Sequence, residues 1–432
     1  MDLVLRAGRA LIGTTLRPAA VGVVDGRIAA IGPFDAGFTA DREEVLAPQA
    51  VLLPGFVDTH VHVDDPGTDW EGFASATAAA AAAGITTLVD MPLDSVPVTT
   101  SVAALSVKQA AAEGNCAVDV GFWGGVVPDN SAELAALTAA GVRGFKCFLT
   151  DSGNPDFGYL SPAQFRRAAA QIADLGSVLL VHAESHDAIT AGPAPRGRTY
   201  RSFLRSRPAV AEADAVACAI DAAASTGARV HIVHVSSAAA LALLDRAKRA
   251  AVPVTAETCP HYLTFTAEEI GDGATQFACC PPIRESHHRD RLWTALGDGT
   301  LDMVVSDHSP CAPELKAAGD FGCTVGGISS LQVSPAVTWT AARERGFGLA
   351  ELSRWMSERP AELAGYADRG RIALGLRADL CAFDPDARTV VDAAALRHRH
   401  PLSPYHGAEL RGSALRTWVA GADVGAQVCQ PV

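Results

Sequence analysis

The sequence has no basic tract, no long apolar span and no paired-cysteine array. Lys and Arg are scattered and the formal net charge is −13, so the footprint a nucleic-acid binder needs is missing. An acidic field steers anionic polymers poorly but is compatible with a small polar substrate. The N-terminus, MDLVLRAGRALIG, lacks an apolar core leading to a small-residue cleavage site, so no secretory signal is expected. The most apolar stretch, Phe73 to Val89, is mostly alanine. It reads as a buried helix and not as a span of lipid. The ten cysteines stand singly, or adjacent as Cys279-Cys280, which fits buried thiols in a reducing cytoplasm. No GxSxG elbow, Walker phosphate loop or GxGxxG behind a first βα unit occurs, and no convincing Cys–His nucleophilic pair.

What is present is the raw material of a large core. Hydrophobic residues make up 49% and charged residues 19%, which argues against a disordered chain. The 432 residues are long for one ordinary domain but fit an α/β barrel with a small second lobe.

Residues 1 to about 50 carry short apolar runs, with Asp25-Gly26 between two of them, a strong hairpin signal. From Val51 apolar strands alternate with alanine-rich helices. Strands are expected at VLLPGFVDTHVHV, ITTLVDMP, AVDVGFWGG, GFKCFL, SVLLVHAES, RVHIVHVSS, VPVTAETCP and LDMVVSDHS. Helices are expected in EGFASATAAAAAAG, closed by Gly84, and over Ser131 to Ala139, Ser161 to Asp174, Ala209 to Ser225 and Ala238 to Ala250. Repeated βα units read as a parallel sheet, and polar residues closing many different strands favour a (β/α)8 barrel over a doubly wound sheet. The tail returns to β texture. Neither end supports its own core, so 1–52 and 372–432 pair as one β lobe around a barrel of 53–371.

His60 and His62 lie two apart in a strand and so share a face. His182 closes SVLLVH, His234 closes RVHIVH, and Asp307 follows LDMVVS. Singly, each could be a hydrogen-bonded buried group; together they place five ligands of the right type at the ends of four strands. Lys146 sits inside the apolar strand VRGFKCFL, where an ammonium is costly. It has either an acidic partner or has reacted with CO2 to give a carboxylate able to bridge two cations. Oxygen bridge, imidazoles and carboxylate suit Zn, Mn, Co or Fe rather than Ca or Mg. Two such ions about 3.5–4 Å apart can activate a hydroxide held between them, with Asp307 moving the proton to a leaving nitrogen. His231, three before His234, is read as facing away from that ligand and as packing. His261 stands either behind the ligands or toward the substrate.

The segments PGFVDTHVHVDDPG, TTLVDMPLDSVPVTT, GFKCFL, ETCPHYLTF, CCPPIR and SDHSP resemble the cyclic amidohydrolases, and among them the allantoinase family. The resemblance covers essentially the whole chain. It implies a distorted TIM barrel with a β-sandwich lobe from both termini. It implies His60 and His62 on one ion with Asp307, His182 and His234 on the other, and carboxylated Lys146 between. It also implies opening of a hydantoin ring, in purine breakdown, by a cytoplasmic homotetramer. Hydantoinases and dihydropyrimidinases are the nearest alternative; they commonly carry a Tyr five residues after the bridging Lys, where Asp151 stands here. Dihydroorotases usually show HxHxR, whereas Asp64 takes the Arg position. Departures from the allantoinase pattern are Asp94 for Asn and Ala278 for Lys, both near loops that approach substrate. An assembly protein of this family would have lost a ligand, and none is lost. For substrate contact the candidates are Asp94, Ser309 (otherwise a cap), Arg284 (otherwise a brace of Pro281-Pro282), and Gly326 with Gly327. The two glycines would read a cyclic imide through backbone groups, or form an ordinary turn.

Overall fold

The structure is a computed structural model and describes residues 1–424; the lobe expected to run to 432 therefore extends, over 425–432, outside the described residues. The first strands are β1 (Leu3–Ile12), β2 (Thr15–Val24), β3 (Arg27–Gly32), β4 (Arg42–Val45) and β5 (Val51–Pro54). β1, β2 and β3 form an antiparallel meander. Its second turn is Asp25-Gly26, with φ of 47° and 71°, the left-handed pair that matches strand twist in a two-residue hairpin.

The barrel follows. Its strands are β6 (Phe56–Val61), β7 (Ile85–Asp90), β8 (Asp119–Phe122), β9 (Gly124–Gly125), β10 (Phe145–Phe148), β11 (Val178–His182), β12 (Arg229–Ile232), β13 (Val254–Thr258) and β14 (Met303–Val304). β6, β7 and β8 pair in parallel, and so do β9 through β14 in sequence order. β6, β7, β10 and β11 are buried at every position, as strands covered on both faces must be. β8 and β9 are one stave interrupted at Trp123, whose indole Nε1 donates to the carbonyl of Thr59 at 2.8 Å. The amide of His62 donates to the carbonyl of His308 at 2.8 Å, closing the ring. The Asp58 carboxylate ties the same seam lower down by accepting from the Ser306 amide.

The covering helices follow from local chemistry. The helix Pro162–Asp174 starts with a capping box between Ser161 and Gln164 and Pro at its first turn. It buries Phe165, Ala168, Ala169 and Ile172, one stripe at helical spacing. The alanine-rich segment is a helix over Phe73–Ala82, and Gly84 follows at φ 83°. The helix expected from Ser131 is split, with a 3-10 turn over Ser131–Glu133 before Leu134–Ala139.

β15 (Leu380–Val390), β16 (Glu409–Val419) and β17 (Ala422–Asp423) then complete the first sheet, in the order β17-β16-β15-β5-β1-β2-β3 with β4 against β1. Residues 391–408, between β15 and β16, leave this sheet and cross to the barrel. Arg399 donates its amide to the Glu71 carboxylate at 3.2 Å, and Ser403 Oγ donates to the Ser329 carbonyl at 2.8 Å. No helix among the described residues is long and apolar enough to cross a membrane.

Candidate metal centre

Five of the six expected side chains lie at or just past the ends of barrel strands, and Lys146 lies within β10. His60 and His62 project from β6 and its exit, and both are buried. His60 Nε2 lies 3.2 Å and His62 Nε2 3.6 Å from Oδ1 of Asp307. His60 Nε2 is buried with no hydrogen-bond partner. An orphaned imidazole nitrogen aimed at a carboxylate and a second imidazole fits a transition-metal cation, which would satisfy all three.

His182, at the end of β11, and His234, two residues past β12, adjoin them. The His182 and His234 rings are 4.6 Å apart, and the His234 and His60 rings 5.4 Å. Burial holds His62, His182 and His234 below the ordinary imidazole range, with the Lys146 charge acting in the same direction on all three. They are therefore neutral near pH 7, the form that donates to a metal. Lys146, on β10, is buried; burial lowers its pKa to about 8, against the pull of Asp307 and Glu257. No ion pair holds it among the described residues. A free-amine fraction near neutral pH is what reaction with CO2 requires.

The backbone at this mouth is unusual. Asp64, Asp94, His234 and Asp307 all have positive φ, at 59°, 66°, 41° and 45°. Non-glycine residues in this region cost of order 1–3 kcal/mol each and cluster where geometry is imposed by function. The turn at His234 also explains a difference from expectation. β12 ends at Ile232, so strand alternation does not carry from His231 to His234. His231 points into the barrel. Its Nε2 meets Glu257 Oε2 at 2.9 Å, and Nδ1 meets Thr255 Oγ1 at 2.8 Å.

Glu257 is one of the residues the sequence reading missed. Its Oε1 lies 2.5 Å from His60 Nδ1. Burial pushes its carboxyl up, but His60 and His231 outweigh burial and hold it at about 2. Glu184 is another. Its Oε2 lies 2.7 Å from His182 Nε2 and also accepts from Arg207. Arg207 and His182 overcome burial and hold this carboxyl at about 2 as well. Both acids lie in segments already read as strands, at ETCPHYL and LVHAES, where only the neighbouring histidine was singled out.

The remaining candidates divide. Asp94 is part of a second potential ligand grouping with His62 and Asp64; its Oδ2 is 3.9 Å from His62 Nδ1 and its Oδ1 accepts from Asn154. Ser309 packs directly against Gly327, whose added Cβ would lie 2.2 Å from the Ser309 carbonyl oxygen. The Gly327 amide donates to Ala278 and its carbonyl accepts from Lys316, so both of its backbone groups are engaged within the loop. Gly326 lies beside Cys280. Arg284 is buried: Nε and Nη2 bind Glu212, and Nη1 binds the Arg207 carbonyl. Those bonds brace the loop in which Glu212 also accepts from the Ser236 and Ser237 amides. His261 is buried with neither ring nitrogen hydrogen-bonded. It groups with Cys259 and Asp307. Burial lowers His261 to about 4 and raises the Cys259 thiol, so this trio offers no thiolate nucleophile.

Comparison with known proteins agrees with this geometry. The amidohydrolase family model matches residues 51–424. The allantoinase of Streptomyces avermitilis is 50% identical over 422 residues, covering 98% of this chain and 95% of that protein. The allantoinase of Rubrobacter xylanophilus is 41% identical over 430 residues, covering 98% and 94%. Among solved structures, an L-hydantoinase (dihydropyrimidinase) from Arthrobacter aurescens superposes with a TM-score of 0.91 at 30% identity, covering 98% of this chain and 95% of that one.

Proposed function

Since the chain belongs to the amidohydrolase family and is a metal-dependent cyclic amide hydrolase, we propose that its substrate is allantoin, whose hydantoin ring it opens to allantoate. The observation that carries the chemistry is the convergence of His60 Nε2 and His62 Nε2 on one oxygen of Asp307. In this reading His60, His62 and Asp307 hold one divalent ion. His182 and His234 would hold a second, and Lys146, once carboxylated, would lie between the two. Zinc suits the donor set best, with manganese, cobalt and iron as close substitutes. When bound, such ions would supply an activated water and polarise the ring carbonyl. The water oxygen bonds to the ring carbonyl carbon while Asp307 takes its proton and delivers it to the departing ring nitrogen, so that the C–N bond breaks with a neutral nitrogen leaving. Asp94 and Ser309 border the site and contact the ring or its ureido arm.

The choice of allantoin over a dihydropyrimidine rests on the 50% identity to an allantoinase against 30% to the hydantoinase structure. It also rests on Asp151, which turns its carboxylate back to the Gly153 amide where the relatives' phenol would stand. The reading extends to a reducing cytoplasm, supported by free thiols at the described cysteines, and to a homotetramer, as the family resemblance implies. The test is a parallel assay on allantoin, hydantoin, dihydrouracil and dihydroorotate. Allantoin is expected to be turned over fastest; faster turnover of dihydrouracil overturns the assignment.

A further inference from the structure

Lys316 is a buried lysine outside the metal centre. It lies in the 3-10 turn Pro313–Gly319, and its carbonyl accepts from Thr275 Oγ1 at 2.5 Å. A buried lysine is costly and is normally matched by an anion. Here no carboxylate pairs with it among the described residues, and the titratable groups that act on it are the thiols of Cys279, Cys280 and Cys311. Burial pushes all three thiols up, so they stay neutral near pH 7.

Its Nζ instead donates to two carbonyls, that of Val325 at 2.9 Å and that of Gly327 at 2.6 Å. These residues stand on either side of Gly326. The Val325 amide donates to the Leu315 carbonyl at 3.0 Å, and the Gly327 amide to the Ala278 carbonyl at 2.8 Å. Both backbone groups of each neighbour are therefore engaged, while neither backbone group of Gly326 has a hydrogen-bond partner among the described residues. Gly326 is also partly exposed. The loop runs beside the segment that carries Asp307: the Ser309 amide donates to the Ile328 carbonyl at 3.0 Å, and His308 bridges to Ile328. An unpaired N–H and C=O between two gripped residues, at the rim of the mouth, call for an outside partner. A cyclic ureide offers both kinds of group in return.

We propose that Lys316 is a positioning residue: by gripping the carbonyls on both sides of Gly326, it sets the direction of the Gly326 backbone groups that meet the ring of the bound substrate. This rests on the cyclic-ureide reading above. The grip needs only two N–H groups, which ammonium and free amine both have, so it does not depend on the protonation of Lys316.

The experiment measures steady-state kinetics of native enzyme, Lys316→Met and Lys316→Ala, on whichever of the four rings named above native enzyme opens fastest, with metal content and thermal melts alongside. Methionine keeps the length of the side chain and removes its N–H groups. K316M should raise KM by about 10–100-fold, the scale of a substrate displaced by a fraction of its own width, and keep kcat and metal content close to native. K316A should do the same, and propylamine, which supplies the atoms alanine lacks, should bring its KM part of the way back. A lower melting temperature with unchanged KM would show that Lys316 serves stability alone and would overturn the inference. Loss of kcat at native KM, or a K316A enzyme indifferent to the amine, would overturn it too. Should K316M and K316A fail to fold, Thr275→Val removes one anchor of the Lys316 backbone; it should raise KM by a smaller factor with kcat kept, and an unchanged KM there decides against the inference. Native enzyme inactive on all four rings overturns the cyclic-ureide reading itself.

Discussion

Glu71 Oε2 lies 3.3 Å from His308 Nε2, with both side chains fully buried, and this pair supports the backbone next to Asp307. The same carboxylate accepts the Arg399 amide, and His308 Nδ1 accepts the amides of Ser330 and Leu331. Truncation by Glu71→Ala leaves His308 Nε2 and the Arg399 amide without their partner. A buried polar group left unpaired costs about 1–3 kcal/mol. The denaturant midpoint is expected to fall accordingly, and kcat with it. An unchanged midpoint would show that the bond is idle.

Lys146→Ala removes the proposed bridge. Activity should drop by about 10²–10³-fold or more, the scale seen when a charge-stabilising group is lost from a dry site. Acetate or propionate should restore part of it by occupying the vacated volume with a carboxylate. Full activity without any additive would refute the bridging role.

The adjacent glycines separate backbone demand from mere proximity. Gly327 has φ of 137° and no room for a Cβ, which would lie 2.2 Å from the Ser309 carbonyl oxygen. Gly326 meets nothing closer than the Cys280 sulfur at 3.5 Å. Gly327→Ala should therefore lose stability, by about 1–3 kcal/mol or more, and lose kcat/KM, whereas Gly326→Ala stays near wild type. Equal damage from both substitutions would contradict this account, and thermal melts with steady-state kinetics on each decide it.

Acid should weaken the fold through histidines kept neutral by burial. Burial, helped by the His308 charge, lowers His398 to about 4, against about 6.5 in the unfolded chain. The unfolded state then binds the extra proton first, so this stability is fully present above pH 6.5 and is lost as pH falls from 6.5 toward 4. Melting temperature measured from pH 7.5 to 4.5 should decline, and His398→Asn should decline less steeply. A parallel decline in the variant would place the effect elsewhere.

His60, His62, His182, His234 and Asp307 stood out in the chain because each lies at or just past the end of an apolar run, and Lys146 because it lies inside one; the fold brings the four imidazoles and Asp307 side by side. What lay beyond the sequence was the second ring of contacts. Glu257 reaches His60 across 197 residues, and Glu71 meets an amide 328 residues away. Nothing local to either acid signals such a partner. His231 is the core residue expected, but it faces the barrel interior rather than away from His234, because strand parity holds only while the strand lasts, and this one ends before His234. Arg284 looked available because arginines on loops so often are, yet Glu212, on the helix Ala209–Thr226, occupies it. Loops that carry Gly326 and Gly327 were located, but their internal bonding to Lys316 and Ala278 depends on packing no local pattern encodes.

The excursion of residues 391–408 has a consequence for how the molecule comes into being. Every proposed metal ligand has been synthesised by Asp307, and His308 then reaches Glu71, yet the Glu71 carboxylate gains its second partner only when Arg399 arrives, and the Ser329 carbonyl waits for Ser403. Contacts of such separation form late, after the entropy of closing the intervening chain has been met. A nascent chain stalled before this point would thus carry a complete set of donors around an unfinished rim. The candidate ligands and the rim that frames them are supplied by different stretches of chain, the rim completed by residues 391–408.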